Sequence, residues 1–197
     1  MFTGIIQEFG KIRLIKSGVY EIYTNLDLTE CKEGSSISCN GVCLTAKNIK
    51  KDDKNIFTFE VNIGEETLTR TNLGHAISQN QTINIEKSLK IGDEIGGHFV
   101  YGHVDCITCV NKIKKLANSW EYHFEKNFNN NNSFITEKGS ISINGVSLTI
   151  ANVSGNTFDI SVIEHTFNNT NLQFLKEGDN VNIEFDYLAR FILKNNE

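Results

Sequence analysis

Nowhere in the 197-residue sequence do apolar residues run on for the eighteen or so positions that a membrane-spanning helix requires. The first twenty residues likewise lack the apolar core of a secretory leader and carry Glu8, Lys11 and Arg13 instead. A cytoplasmic protein that does not enter a membrane is therefore expected. Clustered positive charge is scarce too: Lys112, Lys114 and Lys115 form the strongest group in a chain of net charge -5. That argues against nucleic acid as a partner and favours a small neutral or weakly acidic ligand. Cysteines number five, at 31, 39, 43, 106 and 109, an odd count without an export signal, which predicts reduced thiols. Cys106 and Cys109 have metal-ligand spacing, but zinc needs a second ligand pair. The surrounding "HVDCITCVNKI" alternates like a strand, so no metal is expected.

What the sequence does hold is a duplication. "SISCNGVCLTA", residues 36–46, returns as "SISINGVSLTI", residues 140–150, with eight of eleven letters unchanged. "MFTGII" at the start answers "VYGHV" at 100–104, and "ETLTRTNL" (66–73) answers "HTFNNTNL" (165–172). "INIE" ending at Glu86 answers "VNIE" ending at Glu184. The offset between copies shifts along the chain, which places insertions in loops. The asparagine run "NFNNNNS" (127–133) supplies them in the second copy, "KKDDKN" (50–55) and "IGEE" (63–66) in the first.

Each copy is a series of short segments alternating apolar with polar residues and rich in Ile, Val, Phe, Tyr and Thr, the pattern of half-buried strands. Asn-Gly at 40–41 and at 144–145 falls between two such segments, where it favours a tight turn with positive φ. About six strands per copy, without a ten-residue helical period between them, predict an all-β fold. It comprises two tandem six-stranded antiparallel Greek-key β-barrels, over 1–97 and 98–186. The tail 187–197 differs. Tyr187, Leu188, Phe191 and Ile192 recur at helical spacing, so a short amphipathic C-terminal α-helix is expected, its apolar face covered either by its own barrel or by a partner subunit.

Ser36, Asn40, Cys43 and Thr45 in the first copy answer Ser140, Asn144, Ser147 and Thr149 in the second. Strand and turn composition explains either set alone. The persistence of polar identities beside the core residues Ile37, Val42 and Leu44 points instead to a binding site kept in each barrel. A second cluster, "GDEIGGHFVYGHVD" (92–105), gathers glycines with His98 and His103 at the junction of the copies. Glycine admits close backbone approach to a ligand, and histidine titrates near neutral pH.

Taken in order, "MFTGII", "NGVCLTA", "ETLTRTNLG", "GGHFVYGHVD" and "INGVSLTI" resemble the alpha type of riboflavin synthase over essentially the whole chain. The resemblance implies a homotrimer gathered by the C-terminal helices, with the N-terminal barrel of one chain facing the C-terminal barrel of its neighbour. It implies a dismutation in which two molecules of 6,7-dimethyl-8-ribityllumazine exchange a four-carbon unit, giving riboflavin and 5-amino-6-(D-ribitylamino)uracil, with no cofactor. Lumazine synthase, which supplies the substrate, is a candidate partner. A non-catalytic antenna that binds a lumazine or flavin is the alternative, although such relatives typically lose parts of the motifs that are intact here.

By the same resemblance the first pocket uses Gly4, Ile5 and Ile6, then Cys43, Leu44 and Thr45, then Glu60, Val61, Asn62, Glu66 and Thr67. The second uses Gly102, His103 and Val104, Lys138, Ser147, Leu148 and Thr149, with Ser161, Val162, Ile163, Glu164, His165 and Thr166. Phe2 is expected on or near a bound ring, and Ser36 and His98 lie in motifs associated with activity. His103 is a candidate base at the C7 methyl group or a ligand contact. Cys43 is a candidate nucleophile or a strand filler, and Ser147, its counterpart, a hydrogen-bond donor or the holder of a water. Asn144 stands where relatives often carry aspartate and Glu164 where they often carry proline. The first copy's "NIGEET" is about two residues longer than usual, which blurs which of residues 60–67 touch ligand.

Overall fold

A computed structural model describes residues 1–126 and 128–194. Asn127 of the asparagine run and the last three residues of the tail lie outside the described residues. The first half contains β1 (Glu8–Lys16), β2 (Val19–Thr24), β3 (Ser36–Cys39), β4 (Val42–Thr45), β5 (Lys47–Lys51), β6 (Phe57–Asn62), the short helices α1 (Glu65–Arg70) and α2 (Leu73–Ser78), and β7 (Thr82–Lys87). In the second half come β8 (Cys106–Lys115), β9 (Ser119–Glu125), β10 (Ser140–Ile143), β11 (Val146–Ser154), β12 (Thr157–Ile163), α3 (Glu164–Asn168), β13 (Asn180–Phe185) and α4 (Tyr187–Lys194).

The second half is a closed antiparallel barrel in the order β10-β11-β12-β9-β8-β13. The first half is a curled sheet, β4-β3-β7-β1-β2-β6-β5, so only one of the two expected barrels is closed. The reason lies at one position. Where β11 runs unbroken with a register shift between Ile150 and Asn152, the first copy breaks at Ala46 into β4 and β5. There Asn48 takes φ 48°, and pairing with β6 slips between Lys47 and Lys50. The expected six strands are all present, the broken one as two pieces. Helices α1, α2 and α3 were not expected: at five or six residues each, they are too short to show a helical period.

Alternation sets the core. Phe57, Phe59 and Val61 of β6 point inward, as do Phe158, Ile160 and Val162 of β12, each stabilising the fold by about 1.5–3 kcal/mol relative to exposure. Each half has its own apolar cluster. Both Asn-Gly pairs form the expected turns, with φ 51° and 79° at Asn40 and Gly41, and 49° and 82° at Asn144 and Gly145. The two turns also meet. A Cβ on Gly41 would lie 2.7 Å from the Gly145 amide nitrogen, and one on Gly145 equally close to that of Gly41.

Six buried asparagines surround this contact and relate the halves by an approximate two-fold axis. Asn72 Nδ2 donates to Asn144 Oδ1 (2.9 Å), and Asn171 Nδ2 to Asn40 Oδ1 (3.0 Å). Asn84 Nδ2 donates to the Asn144 carbonyl (2.9 Å), and Asn182 Nδ2 to that of Asn40 (2.8 Å). The amides of Asn72 and Asn171 donate to Asn182 Oδ1 and Asn84 Oδ1, both at 2.7 Å. Asn144 is thus committed to the axis, its Oδ1 accepting from Asn72 Nδ2 and from the Asn182 amide (both 2.9 Å).

Candidate active site

Two polar strand faces lie on either side of this axis. Along β4 the side chains of Leu44 and its flanking Val42 enter the core while Cys43 and Thr45 face outward; along β11 Leu148 enters and Ser147 and Thr149 face outward. Ser36 sits opposite Thr45 on β3, as Ser140 does opposite Thr149. The faces are completed in a manner the sequence grouping did not foresee. The Cys43 amide donates to the carbonyl of Gly102 (2.9 Å), and the Ser147 amide donates to that of Gly4 (2.8 Å). Val104 packs on the first core and Ile6 on the second. Each half therefore lends its leading segment to the other: Gly102, His103 and Val104 join Cys43, whereas Gly4, Ile5 and Ile6 join Ser147. The pairing of Gly4–Ile6 with Cys43, and of Gly102–Val104 with Ser147, is corrected accordingly.

A cleft of about 260 Å³ marks the first face, lined by Val42, Cys43, Glu66, Thr67, Arg70, Thr71, Gly102, His103 and Val104. Gly102 takes φ 78°, and a Cβ there would sit 2.6 Å from that of Cys43, so only glycine allows the approach. His103 is exposed beside Tyr101, ring centroids 6.4 Å apart. Helix α1 brings Glu66 and Thr67 to the cleft and Arg70 with them, 3.3 Å from Glu66. Arg70 and Thr71 were not foreseen.

At the second face Gly97 and His98 lie over Ser147. A Cβ on Gly97 would strike the Thr3 carbonyl at 2.1 Å and Ser147 Oγ at 2.8 Å. His98 Nδ1 lies 2.7 Å from Ser147 Oγ, so this hydroxyl does have an adjacent base. Burial holds the His98 imidazole below its ordinary value, with Asp186 pulling weakly the other way, which favours the neutral, proton-accepting ring. Thr166 and His165 of α3 correspond to Thr67 and Glu66 of α1, and the same bond closes both helices: Thr170 Oγ1 donates to the Thr166 carbonyl (2.7 Å), Thr71 Oγ1 to that of Thr67 (2.6 Å). Lys138 takes φ 65° in the turn before β10, its amide bonded to the Ile150 carbonyl.

Several predicted site residues lie outside the lining of the cleft. The side chains of Leu44, Val61, Leu148 and Val162 fill the cores and turn away from either face. Phe2 is fully buried, bridged to Val100 by paired backbone bonds of 2.7 and 3.0 Å, and presents no ring surface. Glu60 accepts a hydrogen bond from Asn48 on β5 (2.9 Å). Asn62, Ser161 and Ile163 are exposed toward the ends of β6 and β12, and Glu164 at the start of α3. Cys106 and Cys109 lie on β8 as the alternation predicted, and burial pushes the Cys106 thiol up to about 12. Glu121, His123 and Asp159 meet on the outer surface, with Lys112 and Lys114 in register on β8, a cross-strand charge ladder.

Sequence reasoning missed Glu86 and Glu184, although the repeated "INIE" and "VNIE" carried the signal. Both are buried carboxylates whose oxygens accept backbone amides from the crossing segments, at Thr3 and Gly4 and at Tyr101, Gly102 and His103. Burial raises both above the usual carboxylate range, partly offset by those donors.

Two outward faces with matched serine, cysteine and threonine positions, each finished by a glycine segment from the other half, define a duplicated small-molecule binder. A family model described as "Lumazine binding domain" matches residues 3–88 and again 101–186. Riboflavin synthase of Brucella abortus is 39% identical over 97% of this chain and 96% of its own. That of Bacillus subtilis is 34% identical over 100% and 92%, and that of Saccharomyces cerevisiae 35% over 98% and 85%. The chain belongs to the riboflavin synthase family of lumazine-binding proteins, transferases of riboflavin biosynthesis. Its fold also matches the crystal structures of LumP complexed with riboflavin (TM-score 0.76, 23% identity, 94% of this chain and 99% of that one) and with 6,7-dimethyl-8-(1'-D-ribityl) lumazine (0.74, 22%, 94% and 99%). The riboflavin synthases among these relatives do not favour the antenna alternative.

Proposed function

We propose that the chain carries out the dismutation of two 6,7-dimethyl-8-ribityllumazine molecules, one held on each face. The observation that carries this reading is the exchange of segments about the axis, which leaves two matched faces in one chain, with Cys43 and His103 at the first and Ser147 and His98 at the second. A four-carbon unit passes from one lumazine to its twin, so the leaving and receiving molecules balance without an external oxidant or reductant. Holding both rings in attack geometry lowers the barrier by about 7–11 kcal/mol. A base at the acidic C7 methyl group supplies the rest, of order a hundred- to ten-thousandfold.

His103 is suited to the proton transfer because its ring is exposed on the cleft. His98 is suited to accept the Ser147 proton, which activates that oxygen or a water it holds as the nucleophile toward ring carbon. Cys43 occupies the matching place on the first face. Glu66, Thr67, His165 and Thr166 at the helix starts, with Lys138, frame the ligand edges.

The halves 1–97 and 98–186 act as the two lumazine-binding units, and the tail 187–197, which contains α4, as the assembly segment of a cytoplasmic homotrimer. Support for the trimer comes from α4, on which Leu188 and Phe191 are 64 and 58% exposed, while Tyr187 packs on Tyr101 (4.7 Å) and Arg190 pairs with Asp105 of its own chain. Lumazine synthase is the enzyme whose product the site takes. The test incubates purified chain with the dimethyl-ribityl-lumazine alone: riboflavin and the aminouracil should appear in equal amounts, and ligand binding without product would overturn the reading. Sedimentation of Phe191→Asp against the unmodified chain tests the trimer.

A further inference from the structure

Two buried carboxylates do no chemistry in the reading above, yet each grips one crossing segment. At the end of β7, Glu86 Oε1 accepts the amide and the hydroxyl of Thr3 (2.8 and 3.0 Å) and Oε2 the amide of Gly4 (3.1 Å). At the end of β13, Glu184 Oε1 accepts the Tyr101 amide (2.6 Å) and Oε2 those of Gly102 and His103 (2.8 and 3.0 Å). The glycine so held then turns its carbonyl to the opposite half, Gly102 to Cys43 and Gly4 to Ser147. A single relay of bonds therefore runs from each carboxylate, through a glycine peptide, to the amide of the polar residue on a binding face.

Burying a carboxylate is costly, and a strand end needs none for its own hydrogen bonds. Both oxygens are used in each case, and the donors converge from consecutive peptides, which a neutral amide with one oxygen cannot satisfy. The device occurs twice, at the same place in both copies, although the segments it holds differ in sequence, "FTGI" against "VYGH".

We propose that Glu184 and Glu86 are positioning residues for the reaction: Glu184 fixes Gly102 and His103 against Cys43, Glu86 fixes Gly4 and Ile5 against Ser147, and together they set the approach of the two bound rings. This rests on the dismutation reading. Both side chains are buried, Glu86 3% and Glu184 5% exposed, and act through the segments they hold.

The experiment makes E184Q and E86Q in the full chain and reads Tm, kcat and KM for riboflavin formation, and deuterium exchange at the Cys43 and Ser147 amides. Glutamine keeps the volume but turns an NH2 toward an N–H donor, so the held segment must move. In folded E184Q, kcat should fall by about 100-fold while KM stays within about threefold. Exchange should quicken at Cys43 and not at Ser147 in E184Q, and the reverse in E86Q. Full kcat in a folded variant, or exchange rising equally at both amides, overturns the proposal. Should E184Q fail to fold, E86Q and the shorter E184D are read in the same way, and unchanged kcat in both overturns it. If the unmodified chain makes no riboflavin, the dismutation reading falls, and the exchange pattern alone decides whether the glutamates hold the segments.

Discussion

The amide of Cys43 donates to the carbonyl of Gly102 at 2.9 Å, and Ser147 stands in the same relation to Gly4 at 2.8 Å. Through these bonds each half of the chain finishes the face presented by the other, and neither face is the property of one half.

Gly102→Ala should therefore cost more than an ordinary glycine substitution. Its Cβ would lie 2.6 Å from that of Cys43, and at Gly4→Ala the clash is the same distance from Ser147. Gly18 has φ 73° and open space around it, so Gly18→Ala pays the backbone cost alone, about 1–2 kcal/mol. Urea unfolding should show losses above that control for both crossing glycines, about 3 kcal/mol or more, with turnover falling in the crossing variants only.

The His98–Ser147 contact governs the acid side of the rate profile. Burial holds His98 below its ordinary 6.5, so the ring is still mostly neutral as pH passes through 6.5, and the rate should fall only at pH lower than that. His98→Gln should erase this limb and slow turnover by about 10²–10⁴-fold. A limb that persists in the variant would assign it to another group.

Glu86 and Glu184 leave a mark on stability. Burial raises both carboxyls above 4.5, so between that value and their raised ones the folded chain holds protons that the unfolded chain has released. Their contribution to stability is complete below 4.5 and is lost as pH rises through the folded values. The Tm of E86Q/E184Q relative to the unmodified chain should accordingly rise as pH is raised from about 4.5 toward neutral. A constant difference would mean that the carboxyls are not raised.

The asparagine axis should be expensive to interrupt. Asn171→Ala strips partners from Asn40, Asn84 and Asn144, and Asn72→Ala strips them from Asn40 and Asn144. Each should cost about 3 kcal/mol in chemical denaturation. The double variant should cost less than their sum, because the two side chains share partners.

The strands, the duplication and the inward or outward sense of residues such as Cys43 and Leu44 were legible because alternation is a local property that any short segment displays. The exchange of Gly4 and Gly102 between halves was not, since alternation states which face a residue shows and not which distant segment comes to lie across it. The break of β4 from β5 was hidden because Asn48 adopts positive φ without a glycine to announce it. The burial of Phe2 was hidden for a related reason: an aromatic beside a binding motif looks the same in sequence whether its ring is open to a ligand or, as here, is sealed behind the Val100 bridge. Glu86 and Glu184 carried a visible signal, a charge retained twice at the end of an apolar strand, whose meaning needed the converging amides to be seen.

Titration with a substrate analogue lacking the C7 methyl group, followed by fluorescence, addresses the twin-face arrangement most directly. Two ligands should bind per chain, one of them lost in Gly102→Ala and the other in Gly4→Ala. A single ligand per chain, or both lost together in either variant, would contradict it.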